Sequence, residues 1–344
     1  MSFPLLELPS LAIRKVIGLM LFDEKVKLAL SHKQMEDVMK IEKIKGEYLH
    51  LTIGKICHSN LMDEEKSAHD DEIFNVGKFV YERGGHFSGR ENDIVERKNF
   101  INESIQLSER IQTIFRDSKE IWLFDMYSLR YREISEYTEL CARKNPYECV
   151  VSRGFEVRGQ FRESDFDLFM NNIGSQTKMR MNIDTDFPYY SSLNAFKFKN
   201  MHYKYSHWVR PYDLHTIRNI DTITLENGAF HSENLNQLVI FWIHCDSNMM
   251  RDAVIENQER FRLDRSTILR WIVAKKRASP VEGQDKYFIL GRNSNTRSDI
   301  IGILSFTNNG IRFSTRRPDE GYAREFRALR IQRQRIRRRR GNRQ

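Results

Sequence analysis

From Pro9 onward the apolar residues Ala12, Ile13, Val16, Ile17 and Met20 return every three or four positions, the period of one helical face. Pro9 suits the first turn of such a helix, where a missing N–H leaves nothing unpaired. A second helix is expected from Asp23, carrying Val26, Leu28, Ala29 and Leu30, and a third from about Gln34, turning Met35, Val38 and Met39 to one side. Three short helices hide too little surface on one another to offset their chain entropy, so another surface must complete their core. The period then changes. Residues 47–54 alternate apolar and polar and predict a strand, followed by an acidic loop at residues 63–72 and a second strand at 72–81 that Gly84 and Gly85 end.

Ile105, Ile111, Ile114 and Phe115 predict a helix over residues 103–115, and the apolar run at 120–124 a buried strand. Short strands are expected at 148–151, 178–181, 195–198, 222–225 and 251–255. The centres of these six strands lie about 28, 30, 17, 27 and 29 residues apart, close to the interval of repeats that stack one strand and one helix per unit. The clearest unit spans 211–248: a helical turn at 213–217, a strand at 220–225, a turn at Asn227-Gly228, and a helix from Ser232, as N-cap, to Trp242-Ile243. An irregular repeat array and an α+β domain with coincidental spacing both fit. A closing β-element is expected at 286–290, 300–306 and 311–314, with Asn309-Gly310 as its hairpin signal.

Composition narrows the class. At 344 residues and 40% hydrophobic content the chain can hold one large or two ordinary globular domains. It opens with no basic segment before an apolar run, and nowhere do eighteen apolar residues run together, so neither export nor membrane spanning is expected. Cys57, Cys141, Cys149 and Cys245 lack any CxxC spacing and are expected as thiols in a reducing compartment. The net charge of +9 is concentrated at one end: residues 324–344 hold ten Arg and one acid, leaving 46 basic and 46 acidic groups before them. A polyanion partner is therefore argued for the tail alone.

Chemistry is sparse. No phosphate-binding loop, nucleophile elbow, HExxH or dinucleotide fingerprint occurs, no cofactor is implied, and the histidines near 58–69 and at His202, His207 and His215 match no metal-ligand spacing. Nine of the 26 residues from 187 to 212 are aromatic, among them Tyr189, Tyr190, Tyr203, Tyr205 and Trp208. They read either as core or as an exposed aromatic surface for a protein substrate, with Tyr203, Tyr205 and Trp208 as its candidates. Arg324, Arg327, Arg330 and Arg333 with Phe326 and Leu329 fit a frayed helix, whereas Arg337, Arg338, Arg339 and Arg340 repel one another and are expected to be disordered without a polyanion; with Arg333 and Arg335 they read as a solvated end, a nuclear address or a phosphate-binding arm.

Leu8-Pro9, Ile13, Val16-Ile17, Met20, Leu28, Leu30-Ser31 and Lys33 resemble the F-box, the helical module that docks substrate receptors onto the Skp adaptor of cullin-based ubiquitin ligases. The opening Phe3-Pro4-Leu5-Leu6 is similar to the nematode-type F-box proteins that carry an F-box-associated domain (type 2). Leu225, Phe230, Asn234-Leu235-Asn236, Leu238 and Trp242-Ile243 resemble that associated domain, best over residues 187–260. The resemblance implies an α+β chain with a three-helix F-box at 1–45, an irregular leucine-rich-repeat-like domain at 46–317 closed by a β-element, and an Arg-rich tail at 318–344. It implies a non-catalytic receptor, cytoplasmic or nuclear, in which Leu8, Pro9, Ile13, Val16, Ile17, Met20, Leu28 and Leu30 hold the Skp adaptor. The cullin would be bound indirectly and the body would hold an unnamed protein substrate. The competing class is a nuclear or nucleic-acid-binding protein acting through the tail.

Overall fold

In the computed structural model of the chain the described residues are 8–20, 25, 28–29, 33–42, 48–53, 58–62, 74–77, 106, 109–110, 112–114, 119–125, 131–152, 162–185, 190, 193–245, 248–277, 285–291, 300–316 and 322–341. They form a mixed α+β structure that divides into two compact units, Met1–Glu133 with Pro146–Val157 and Ile134–Asn145 with Arg158–Gln344.

The first unit holds helices α1 (Ser10–Leu19) and α2 (Lys33–Glu42) and strands β1 (Tyr48–Ile53), β2 (His58–Met62), β3 (Phe74–Gly77), β4 (Lys119–Asp125) and β5 (Glu148–Ser152). Their order is β5-β4-β1-β2-β3, parallel from β5 to β1 and antiparallel beyond. β4 has side chains of both faces buried, Ile121 on one and Trp122 and Phe124 on the other, as expected of a strand flanked by two parallel neighbours. Pro9 lies just outside α1, and its carbonyl accepts from the amides of Ala12 and Ile13. Of the expected second helix, Lys25, Leu28 and Ala29 are helical and Leu30 lies outside the described residues. On α2, Met35 and Met39 are buried, and Glu36 accepts from Arg110 Nε at 2.7 Å while pairing with Lys40 at 2.7 Å. The Lys40 hydrogen bond, aided by the Arg110 guanidinium, holds the Glu36 carboxyl below its ordinary range despite its burial.

In the second unit come α3 (Tyr131–Lys144, from Ile134 onward in this unit), α4 (Glu163–Asn172), β6 (Lys178–Asn182), β7 (Asn200–Tyr203), β8 (Ile220–Gly228), α5 (Ser232–His244), β9 (Met250–Asn257), the short α6 (Arg265–Ile268), β10 (Ala274–Arg277), β11 (Lys286–Leu290), β12 (Ile301–Phe306), β13 (Gly310–Arg316) and α7 (Ala323–Gly341). β6, β7, β8 and β9 pair in chain order and in parallel, and β13, β12, β11 and β10 follow antiparallel. The register aligns Met179, Met201, Ile223 and Ala253 in one buried row and Met181, Tyr203, Leu225 and Ile255 in another. Arg180, His202, Thr224 and Val254 lie between those rows on the opposite, partly exposed face.

The connections from β7 to β8 and from β8 to β9 share one kind of cap. Asp213 accepts from the amide of Arg210 at 3.0 Å before a 3-10 turn (Asp213–Thr216), and Asn234 from the amide of His231 at 2.9 Å at the head of α5. Asp165 accepts from the amide of Arg162 at 3.1 Å at the head of α4, which precedes β6. A residue three positions on thus satisfies an amide that the helix itself leaves unpaired. Asn257 fastens the exit of β9: its side chain accepts from the Phe230 amide and donates to the Phe230 carbonyl, at 3.0 and 2.7 Å.

Four local expectations are corrected. Residues 195–198 are not a strand. Leu193–Phe196 forms a 3-10 turn in which Ala195 and Phe196 are buried, and the strand follows at Asn200–Tyr203, where Met201 and Tyr203 alternate inward. Ser232 is the first helical residue of α5 rather than its cap; its hydroxyl accepts from the Asp264 amide at 2.8 Å. The hairpin turns one residue earlier than expected, at Asn308-Asn309: Gly310 begins β13 and closes the turn, its carbonyl accepting from the Thr307 amide at 3.0 Å, and a Cβ there would meet the Ile255 carbonyl at 2.1 Å. Arg337, Arg338, Arg339 and Arg340 are not disordered: the helix expected to fray extends as α7 through them to Gly341, rooted where Phe326 and Leu329 pack with Phe288, Ile301 and Ile303. The basic stretch at 275–277 is strand β10, and β2 was unmarked by any apolar alternation. The acidic loop at 63–72 lies outside the described residues.

Ile223 and Leu225 are buried at the centre of the parallel rows, so Ile223→Ala or Leu225→Ala should each cost about 2 to 5 kcal/mol in denaturant unfolding. Thr222 and Thr224 project from the other face, and their alanine variants should unfold close to wild type. Equal, small effects at all four positions would contradict this register.

Candidate interaction surfaces

The N-terminal helix presents two apolar faces. Ile13 and Ile17 are buried inside the first unit, whereas Leu11 is 65%, Val16 37% and Leu19 88% exposed. At 100° per residue Leu11, Leu19 and Val16 fall within an arc of about 140° on α1 that also holds the exposed Lys15, with Leu8 half-buried at its start. Of the residues expected to meet an adaptor, Ile13 and Ile17 therefore serve this chain's own core. Pro9 and Val16 are outward, and Met20 and Leu28 half-buried. Leu11 and Leu19 were missed by sequence reasoning, which followed a single stripe; a second one beginning at Leu11 was there to be read.

The aromatic candidates separate by burial. Tyr203 and Trp208 are each 1% exposed and pack edge-on or tilted among Phe166, Tyr190 and Phe196, with ring centroids 4.4 to 6.4 Å apart. They fill the core and cannot meet a partner as surface residues. Trp208 Nε1 donates to the Tyr205 carbonyl at 2.8 Å, and Tyr203 donates its hydroxyl to the Ala195 carbonyl. Burial, with Tyr190 beside it, pushes the Tyr203 phenol well above its ordinary range. Tyr205 alone of the three is half-buried, with the Lys204 ammonium 5.9 Å from its ring centre.

The histidines disperse. His202 Nε2 lies 2.9 Å from a Glu226 oxygen, His207 Nε2 is 2.9 Å from the Thr185 carbonyl, and His215 stacks on Phe241 at 4.6 Å. Desolvation, then the Arg218 guanidinium, lowers the His215 pKa. Among the described residues no three His, Cys, Asp or Glu converge as a metal site, and no helix is long and apolar enough to cross a membrane. Cys141, Cys149 and Cys245 are buried thiols, and Cys57 lies outside the described residues.

Trp271, on the second unit, is 87% exposed. It occupies a turn closed by the Ile272 amide on the Leu269 carbonyl at 3.1 Å, and its φ of 65° is the left-handed conformation that glycine takes at least cost. The turn is held firmly. Asn236 Nδ2 donates to the carbonyls of Ile268 and Arg270, at 2.8 Å each, and Asp264 caps α6 by accepting from the amides of Ser266 and Thr267 at 3.0 Å each. Arg265, Arg270, Lys276 and Arg277 are exposed along the same segment and Lys275 is half-buried. The tail arginines share α7, where Arg324, Arg327, Arg330 and Arg335 are exposed; Arg333, Arg337, Arg338, Arg339 and Arg340 are helical in backbone.

Asp264 makes this cap pH-dependent. Hydrogen bonds from the Thr267 and Ser266 hydroxyls and amides bring its carboxyl from the ordinary 3.8 to about 2. A carboxylate with a depressed folded value stabilises the fold above its ordinary value, and that contribution disappears as pH falls from about 4 toward 2. Asp264→Ala should therefore melt below wild type at pH 6, and the gap should close on acidification over that interval. A gap independent of pH would mean that the charged cap contributes nothing.

Comparison of the chain with protein-family models, with curated proteins and with solved structures finds no match.

Proposed function

We propose that this protein is a non-catalytic substrate receptor of a Skp–cullin–F-box ubiquitin ligase, using its N-terminal helices to hold the adaptor and its second unit to hold a protein target. The observation that carries the reading is the second apolar face of α1. Leu11, Val16 and Leu19 remain in solvent while Ile13 and Ile17 satisfy the chain's own core, which is the surplus apolar surface that a docking helix needs. The adaptor-facing set is then Leu8, Leu11, Val16 and Leu19, flanked by Pro9, Met20 and Leu28.

The second unit supports the rest of the reading. Parallel strands beginning at residues 178, 200, 220 and 250 pair in chain order, with recurring caps on the connecting turns. That is how a leucine-rich-repeat-like array buries a continuous core, leaving a partly exposed sheet face for a partner. The receptor's contribution to ubiquitin transfer is proximity: a bound target lysine is held at high local concentration near the charged conjugating enzyme.

Co-purification of the full-length chain from cell extract, probed for the Skp adaptor and cullin, tests the assignment. Leu19→Asp and Val16→Asp should each weaken adaptor capture by roughly thirtyfold or more, since central anchors contribute 2 kcal/mol or above. Both variants should melt as wild type, because these side chains project outward. Ile17→Asp should lose adaptor and fold together. Wild-type capture by both outward variants would overturn the reading.

A further inference from the structure

The segment from Arg265 to Arg277 holds five basic residues and no acid, and α7 with the residues after it adds ten Arg against Glu325 alone. Together they contain 15 of the chain's 56 Lys and Arg but only 1 of its 47 Asp and Glu, so the remainder of the protein is net acidic. The fold joins these two stretches. β10 is the outermost strand at its end of the second unit's sheet, and Arg277 Nη1 lies 3.5 Å from Glu325 Oε1 in the first turn of α7. Lys276 pairs with Asp285 at 2.5 Å, so the half-buried carboxylates Asp285 and Glu325 hold the inner ends of a basic surface. Neither pairing uses Arg270, Lys275 or the outward arginines of α7.

Trp271 stands three residues before β10. Large exposed apolar side chains described in the second unit are limited to Tyr212, Trp271 and Ile331, and the exposed neighbours of Trp271 in sequence, Arg265, Ser266, Arg270, Lys276 and Arg277, are all polar. Ile268 is buried and Leu269, Ile272 and Val273 are half-buried, so the indole is the one large apolar side chain that the segment from Arg265 to Arg277 exposes. An exposed aromatic plane within a basic segment is the arrangement that stacks an unpaired base while cations track the phosphates. The left-handed backbone at Trp271 and the two Asn236 hydrogen bonds to the carbonyls of Ile268 and Arg270 hold the turn that carries the indole.

We propose that the edge formed by residues 265–277 and α7 binds single-stranded nucleic acid, with Trp271 as the stacking platform and Arg270, Lys275 and the α7 arginines as phosphate contacts. The surface uses no residue of α1.

The test is fluorescence anisotropy of the full-length chain with labelled 20-nucleotide single-stranded RNA, the same sequence as single-stranded DNA, and duplex RNA, across a sodium chloride series. The single strands should bind more tightly than the duplex, with log affinity falling against log salt at a slope of about −0.7 per phosphate contact. Trp271→Ala should weaken binding roughly 5- to 100-fold without changing that slope, and Trp271→Phe should retain most of the affinity. Truncation after Arg330 should flatten the slope. Tighter binding of RNA than of DNA identifies RNA as the source of the single strand, and the reverse identifies DNA. Crosslinking with 4-thiouridine RNA reads the contact without any variant: the adduct should map to the peptide holding Trp271. Wild-type affinity in Trp271→Ala, an adduct confined to α7, equal competition by polyglutamate, or no binding in the lowest salt would each overturn the proposal.

Discussion

The second unit depends on one geometric demand: two rows of inward side chains must stay level across four parallel strands. Parallel neighbours cannot be joined by a tight hairpin, so each pair requires a crossover, and every crossover here must return at the depth of the one before. Met179, Met201, Ile223 and Ala253 are level because their strands are, as are Met181, Tyr203, Leu225 and Ile255. The caps of Asp213 and Asn234 address that demand directly, by ending the free chain and starting the helical turn at a defined residue. Asn257 does the same at the exit of β9, replacing backbone pairing that the turn at Phe230 cannot supply.

Strands whose apolar residues face a core were legible in the sequence for that reason, and β4, β5, β6, β8 and β9 stand where alternation or apolar runs put them. The failures share a cause. Ala195 and Phe196, in a 3-10 turn, and Phe198 just after it are as buried as strand residues, and composition alone does not separate the two. With the strand moved to Asn200–Tyr203, the one short interval is shared between two: the starts at 178, 200 and 220 are 22 and 20 residues apart, against 30 from 148 to 178 and from 220 to 250. β10 escaped notice because an edge strand of Lys and Arg carries no apolar pattern at all.

The surfaces were harder to read than the framework. Aromatic density around residues 187–212 marked a place, yet Tyr203 and Trp208 turned out to be its interior, since large rings are what a short-stranded layer uses to fill space. Conversely, Trp271 stood in plain view within a basic stretch, but only its backbone conformation and exposure separate it from an ordinary core tryptophan. α1 shows the same ambiguity within one helix: Ile13 and Leu19 are equally apolar, and only the fold tells which is used up.

α7 keeps two jobs on separate residues. Phe326 and Leu329, within its first two turns, are the side chains that join the hydrophobic cluster on β11 and β12, while most of the helix's arginines lie farther along. Nineteen residues make a helix of about 28 Å, and Leu329 sits only about 10 Å from its start. Lineages of this protein are therefore free to lengthen, shorten or recharge the distal part by drift or selection, changing what the chain is attracted to while the folded unit it is rooted in stays as it was.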